Sequence, residues 1–385
     1  MRKLEPKELT PGMITLETVL TPHGQELCQK GEELTRQLIN RMKLYRVEYV
    51  FVEGEDPVSD TEEISPSPTP VVETPEPIKE APKAHPKTHI EETKTHSQKI
   101  ASSNEFRAFQ IEYFEAINEL KIIFKEITEE KKPLDSARLL RIVSPLYLGL
   151  NTITELFDML HHMRSIKDTV FCHSLNVALI SRMIGRWLHF EKHDLDILTL
   201  AGLLHDIGKG MIPNEILEKP SSLTLEEYEL IKKHPKFGYD ILKNQNLDSR
   251  IKKAALMHHE RCDGTGYPSG LESDLIDDFA MIVAIADVYD AMTATRAHRS
   301  PLCPFQVIAT FEDDGYQKYH PKYLLTFLKQ IAKTYQSNRV ILNDGRACNI
   351  IMLNSNSLSQ PIVQFDDNTC IDLSAQRELY ITALL

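Results

Sequence analysis

The sequence predicts a mainly α protein with a small N-terminal α/β module, a disordered linker and a small C-terminal β extension. Three observations carry this. Helical periodicity begins near Asn104 and persists for about two hundred residues. Pro, Glu, Thr, Ser and Lys dominate residues 54–103. Short strand-like runs occur only before and after these two stretches. The expected divisions are 1–53 for the N-terminal module, 54–103 for the linker, 104–167 for a helical lead-in, 168–334 for the main helical domain and 335–385 for the β extension.

In the N-terminal module, Pro11-Gly12 precedes the strand-like run Met13–Leu16, and His23-Gly24 marks a turn. Thr35–Leu44 reads as a helix and Val47–Val52 as an alternating strand. Nothing there has ligand or nucleophile spacing, so it reads as a docking or regulatory module or as a structural appendage. The linker, with runs such as Ser65-Pro66-Ser67-Pro68-Thr69-Pro70, holds too little apolar surface to offset ordering entropy. Its His85, His89 and His96 are expected in solvent.

The lead-in opens with an apolar stripe, Phe106, Phe109, Ile111, Tyr113, Phe114, Ile117, Leu120, Ile123 and Phe124, on one long helix ended by Pro133. Two further helices run through Arg164, and the section reads as a signalling or dimerisation element. The helix Thr169–Leu188 directs Val170, His173, Val177, Ile180 and Ile184 to one face. The next helix ends in Leu203-Leu204-His205-Asp206-Ile207-Gly208-Lys209, closed by Gly208, Gly210 and Pro213. Thr224 and Glu227 form a capping box, and Pro235 forces a change of direction at His234. Ala254–Glu260 then leads into a loop containing Gly264, Gly266 and Tyr267, and Ala280, Val283, Ala284, Asp287 and Ala291 share a helix face. Strand patterns follow at Arg339–Leu342, Cys348–Met352 and Pro361–Val363.

Composition narrows the function. The net charge of −12 argues against binding a nucleic-acid polymer through a broad basic surface, while a local site for a small anion is still allowed. The six cysteines form no CxxC pair, which fits reduced thiols in the cytoplasm. No leader and no membrane span is expected, because Met1–Glu8 has no apolar core and no run of about 18 apolar residues occurs.

Asp206 beside His205 lies in an apolar run, where an ionised carboxylate is costly unless a cation compensates it. Lys209, three residues on, could be that cation, and so could a metal. Taken with His173, His234, His258, His259 and Asp287, the set comprises five inward histidines and two inward carboxylates, more than a core needs. Imidazole with carboxylate suits Fe, Mn or Zn better than Mg or Ca, and seven ligands suit two ions sharing a bridge. A zincin reading of His259-Glu260 fails, since Asp263 stands where a histidine is required.

Residues 168–300 resemble the HD-GYP branch of the HD-domain phosphohydrolases. The likeness rests on Asp168–Ala178, His205–Lys209, Lys219-Pro220, Lys233-His234-Pro235, His258–Pro268 and Asp287–Thr293. The N-terminal unit is similar to a small module found before such domains. The resemblance implies an all-α HD bundle that hydrolyses cyclic di-GMP to pGpG, GMP or both, by a water activated between two divalent metals, Fe or Mn. His173, His205, Asp206 and Asp287 would hold one metal, and Asp206 would bridge to a second held by His234, His258 and His259. Some relatives add a third metal through a glutamate one turn before the first histidine; Thr169 stands there, which favours two. Lys209, Tyr267, Arg296 and Arg299 would contact substrate, with Lys209 also serving the leaving group, and Asp263 and Asp290 would support the ligands from behind. A different nucleotide or cyclic dinucleotide as substrate, and a non-catalytic cyclic di-GMP receptor, are the competing readings. Signalling partners docked through the Tyr267 loop or the N-terminal module, and a homodimer, are compatible with either.

Overall fold

A computed structural model describes residues 2–4, 9–10, 12–20, 26–35, 38–39, 42, 49–52, 100, 102–149, 153–163, 170–217, 219, 221–294 and 301–385. The expected linker and the helix Thr35–Leu44 lie wholly or largely outside these residues, as do Thr169, Arg296 and Arg299. The chain divides into two compact units, Met1–Lys87 and Thr88–Leu385.

In the first unit, β1 (Arg2–Leu4) pairs antiparallel with β4 (Val50–Val52), and β2 (Val19–Leu20) with β3 (Glu26–Cys28). The Met13–Leu16 run makes only isolated bridges, at Ile14 and Thr15. Leu9, Val19, Cys28, Leu34, Ile39, Met42, Val50 and Val52 form its core.

The second unit is helical with an antiparallel sheet at its end. The lead-in helix α1 (Asn104–Thr128) starts at Ser103, whose side chain accepts from the Phe106 amide, and ends before Pro133. It buries Phe106, Phe109, Tyr113, Ile117, Leu120, Ile123 and Phe124, while Ile111 and Phe114 of the expected stripe point outward. Three segments follow where two were expected: α2 (Ser136–Val143), the single turn Pro145–Leu148 and α3 (Ile153–Met163).

Helix α4 (Val170–Trp187) is the centre of the unit. Every residue from Cys172 to Gly185 is buried, so it has no solvent face, contrary to the one-sided reading of its sequence. Its buried charge is met internally: the Arg182 guanidinium donates to Asp196 at 2.8 Å and Thr199 at 3.0 Å. Helix α5 (Lys192–Leu204) packs on it and leads through the 3-10 turn Ile207–Met211. The capping box starts α6 (Leu225–Ile231), α7 (His234–Leu242) begins with Pro235 in its first turn, and α8 (Ser249–Met257) follows. Helix α9 (Asp278–Thr293), capped by Asp277, packs against α4 and α8. Beyond it, α10 (Pro304–Thr310) and α11 (Pro321–Thr334) complete the bundle.

The C-terminal strands are β5 (Arg339–Leu342), β6 (Ala347–Asn354), β7 (Ser357–Gln364), β8 (Cys370–Asp372) and β9 (Ile381–Leu384), in spatial order β8-β7-β6-β5-β9. Val340, Leu342, Cys348, Ile350 and Val363 join the core of the helices. Among the described residues, no helix is long and apolar enough to cross a membrane.

Candidate metal centre

Four segments converge on Asp206. The 3-10 turn that carries it lies against α7 so closely that a Cβ on Gly208 would sit 2.0 Å from the His234 carbonyl oxygen. Only glycine allows this approach, and the approach brings His234 Nε2 to 3.2 Å from Asp206 Oδ1. On the other carboxylate oxygen, Oδ2, lie His205 Nε2 at 3.3 Å and His173 Nε2 at 3.6 Å. His258 Nε2 is 3.8 Å from Oδ1. The described residues contain two ligand groups, Asp206–His234–His258–His259 and His173–His205–Asp206, and Asp206 belongs to both. Asp287 meets the set through His173, with Oδ1 3.1 Å from Nε2, and Oδ2 lies 3.9 Å from His259.

The ring orientations are fixed from behind. His205, His234 and His258 place Nδ1 on the carbonyls of Gly202, Ile231 and Ala254 at 2.7, 2.7 and 3.0 Å. A carbonyl can only accept, so each Nδ1 carries the hydrogen, and Nε2 is the nitrogen that each ring turns inward and, when uncharged, offers as a lone pair. His234 and His258 thereby bring Nε2 to Nε2 at 3.2 Å. Lone pairs that close repel unless a cation lies between or beside them. His205 Nε2 and Asp206 Oδ1 are buried without a hydrogen-bond partner. Inward lone pairs, buried anionic oxygens and unsatisfied acceptors are what a divalent metal completes, so the residues fit such an ion.

The electrostatics agree. Burial pushes Asp206 toward the neutral acid, but Lys209 and then His205 hold its carboxyl well below the ordinary carboxylate range. Asp287 is likewise held low against burial, chiefly by His173. Burial, reinforced by neighbouring imidazoles, keeps His258 well below its usual value, and burial takes His259 down to about 3. In the metal-free protein His173 goes the other way: burial opposes its charge, yet Asp287 and Asp290 raise it to about 10.

Lys209 Nζ lies 2.5 Å from Asp206 Oδ2 and its side chain is about a quarter exposed. The ion pair that the sequence offered as the alternative to a metal therefore coexists with the ligand cluster. The Tyr267 ring stacks on His259 with centroids 4.6 Å apart, and Lys232 Nζ lies 5.5 Å from the Tyr267 centroid. Burial raises the Tyr267 pKa, keeping it a neutral phenol.

Asp290 stands behind His173, its Oδ2 2.8 Å from His173 Nδ1. Asp263 does not. It is exposed, and its Oδ1 accepts from the Thr265 amide at 3.0 Å and hydroxyl at 2.6 Å. It closes its own turn, a short-range bond that its nearness in sequence to His259 concealed. The residue that anchors the loop is Glu260, buried, with its two oxygens accepting from the Ser269 and Leu271 amides at 2.7 and 2.9 Å. A carboxylate between a histidine and a glycine-rich loop was the available signal. Gly266 is required as well, since a Cβ there would lie 2.4 Å from Glu260 Cα.

Residues 151–323 match the family model of the HD domain, a span that contains every candidate ligand named above. The chain is 31% identical over 204 residues to the cyclic di-GMP phosphodiesterase PA4108 of Pseudomonas aeruginosa, covering 52% of this chain and 49% of that protein. It is 35% identical over 182 residues to a cyclic di-GMP phosphodiesterase of Thermotoga maritima, covering 46% and 48%. It is also 34% identical over 152 residues to the 3'3'-cGAMP-specific phosphodiesterase 2 of Vibrio cholerae, covering 39% and 29%. The chain thus spans about half the length, or less, of these relatives. The likeness to the HD domain thus extends over residues 151–323, a little under half of the chain.

Proposed function

We propose that this protein is a metal-dependent phosphodiesterase that hydrolyses cyclic di-GMP to pGpG, GMP or both. The observation that carries the reading is the position of Asp206 in both ligand groups. His173, His205, Asp206 and Asp287 would hold one divalent ion, and Asp206, His234, His258 and His259 the other, with Fe or Mn suited to this donor set. Such ions, when bound, activate water and neutralise phosphoryl charge.

The chain's own residues do the rest. The backbone carbonyls behind His205, His234 and His258 fix which nitrogen each ring offers. Lys209, part exposed and anchored at Asp206, donates to a phosphoryl oxygen or to the departing one. Tyr267, against His259, forms a wall of the substrate pocket, and Arg296 and Arg299 supply further phosphate contacts. A cytoplasmic location agrees with six cysteines that form no CxxC pair, and signalling partners or a second copy are compatible with the activity.

The test is to purify the protein without oxygen, supply Fe(II) or Mn(II), and follow cyclic di-GMP beside an Asp206→Ala control. Turnover abolished by the substitution is expected; turnover unaffected by it would overturn the reading. Binding without turnover by the wild type would mark a receptor instead. The likeness to the Vibrio cholerae enzyme favours a second substrate reading, 3'3'-cGAMP, which the same assay decides by comparing the two dinucleotides.

A further inference from the structure

A chain of buried hydrogen bonds runs from the lead-in helix to a metal ligand. Tyr113, on the inner face of α1, donates its hydroxyl to Asn176 Oδ1 at 2.7 Å. Asn176, on α4, donates Nδ2 to Asp290 Oδ1 at 2.9 Å. Asp290, on α9, uses its other oxygen to hold His173 Nδ1 at 2.8 Å. All four side chains are buried, so water does not substitute for a missing partner.

The order of donors matters. A phenol that donates to the Asn176 oxygen leaves the Asn176 amide nitrogen facing Asp290. Without that hydroxyl the amide loses the contact that selects its orientation, and its flipped form sets oxygen against carboxylate. Asp290 in turn decides how firmly the His173 ring is aimed, since a carboxylate behind a ligating imidazole fixes both its tautomer and its direction. Tyr113 lies 63 residues before Asn176 in sequence and outside the matched span 151–323.

We infer that Tyr113 is a positioning residue for the metal centre, acting through Asn176 and Asp290 on His173, so that α1 is part of the machinery aiming this ligand. The inference rests on His173 being a metal ligand. It gives the lead-in helix a specific role: a displacement of α1 relative to α4 is felt first at the ion His173 holds and not at the ion held by His234, His258 and His259.

The test titrates Mn(II) into the metal-free full-length chain by calorimetry and records thermal melts of the same samples. Tyr113→Phe keeps the buried ring, and Asn176→Ala removes the middle link. Ile111→Ala, on the exposed face of α1, is the control. Outer-shell substitutions lower metal affinity about 10–100-fold, the range expected for Asn176→Ala. For Tyr113→Phe, one link further out, about 3–10-fold is expected, confined to one of two sites. The double variant should be no weaker than Asn176→Ala alone, and Ile111→Ala should bind as the wild type. Tyr113→Phe binding as the wild type, equal weakening of both sites, or a double variant losing the product of the two single effects would each overturn the inference. A wild type that binds no Mn(II), with His173→Ala indistinguishable from it, would instead sink the metal reading, and this inference with it.

Discussion

Gly208→Ala is expected to be far more damaging than Gly210→Ala, although both glycines flank Lys209 in the same turn. The new Cβ at position 208 would lie 2.0 Å from the His234 carbonyl oxygen and 2.4 Å from the Gly238 amide nitrogen. Non-bonded heavy atoms need about 3.5 Å, so the turn and α7 must separate by roughly 1.5 Å. Both contacts are backbone, so no side chain can swing away to relieve them. The 3.2 Å between Asp206 Oδ1 and His234 Nε2 would then grow to nearly 5 Å, beyond what one ion about 2 Å from each can span. Overpacking of this severity costs about 3 kcal/mol, the upper end of the usual range. For a unit of this size that is roughly a 5–10 °C fall in melting temperature. At position 210 the Cβ would meet Thr128 Cγ2 at 3.4 Å, an ordinary contact, and the effect should stay within about 0.5 kcal/mol. Thermal melts and Mn(II) titration of the two variants check both halves. Equal melting temperatures, or a destabilised Gly208→Ala chain that still binds metal normally, would refute the reasoning.

Three further outcomes are expected. Lys209→Met should retain metal but lose about 10²-fold or more in turnover, because it removes a donor at the reacting phosphate and not a ligand; comparing Mn(II) affinity with cyclic di-GMP hydrolysis separates the two. Glu260→Gln replaces one acceptor oxygen with an NH2 facing a backbone N–H, which costs about 1–3 kcal/mol; faster hydrogen exchange at Ser269 and Leu271 would reveal it. Metal uptake should release protons. His173 in the metal-free protein titrates at about 10 and so carries a proton at neutral pH that an ion must displace. Affinity should therefore fall as pH is lowered, and calorimetry in buffers of different ionisation heat counts the protons; affinity independent of pH between 6 and 8, as roughly bracketed by such buffers, would contradict this.

Much of the helical framework and the residues that converge on Asp206 were legible in the sequence. Several of these residues sit in short runs at helix ends, where adjacent residues such as His205-Asp206 and His258-His259 keep their meaning without tertiary information. What was not legible depends on pairs distant in the chain. Ser174, Asn176, Ser181 and Arg182 suggest a solvent face for α4, yet all are buried because partners on α1, α5 and α9 surround it. Tyr113 reads as one more apolar stripe residue, and only its meeting with Asn176 shows what its hydroxyl is for. Asp263 was misplaced because sequence proximity to ligands says nothing about which side of a turn a carboxylate faces. Short strands β8 and β9 carry too few residues for alternation to register, and they exist because β7 and β5 offer edges to pair with.

The sharing of Asp206 is tested most directly by metal stoichiometry. The wild-type chain and Asp206→Ala, both prepared without oxygen, are equilibrated with Mn(II), and bound metal per chain is measured. Two ions on the wild type and weakening of both sites by the single substitution are predicted, because His173 with His205 and His234 with His258 each depend on one oxygen of the same carboxylate. Loss of one ion with the other bound at wild-type affinity would contradict a bridge, and three ions on the wild type would contradict a two-metal centre.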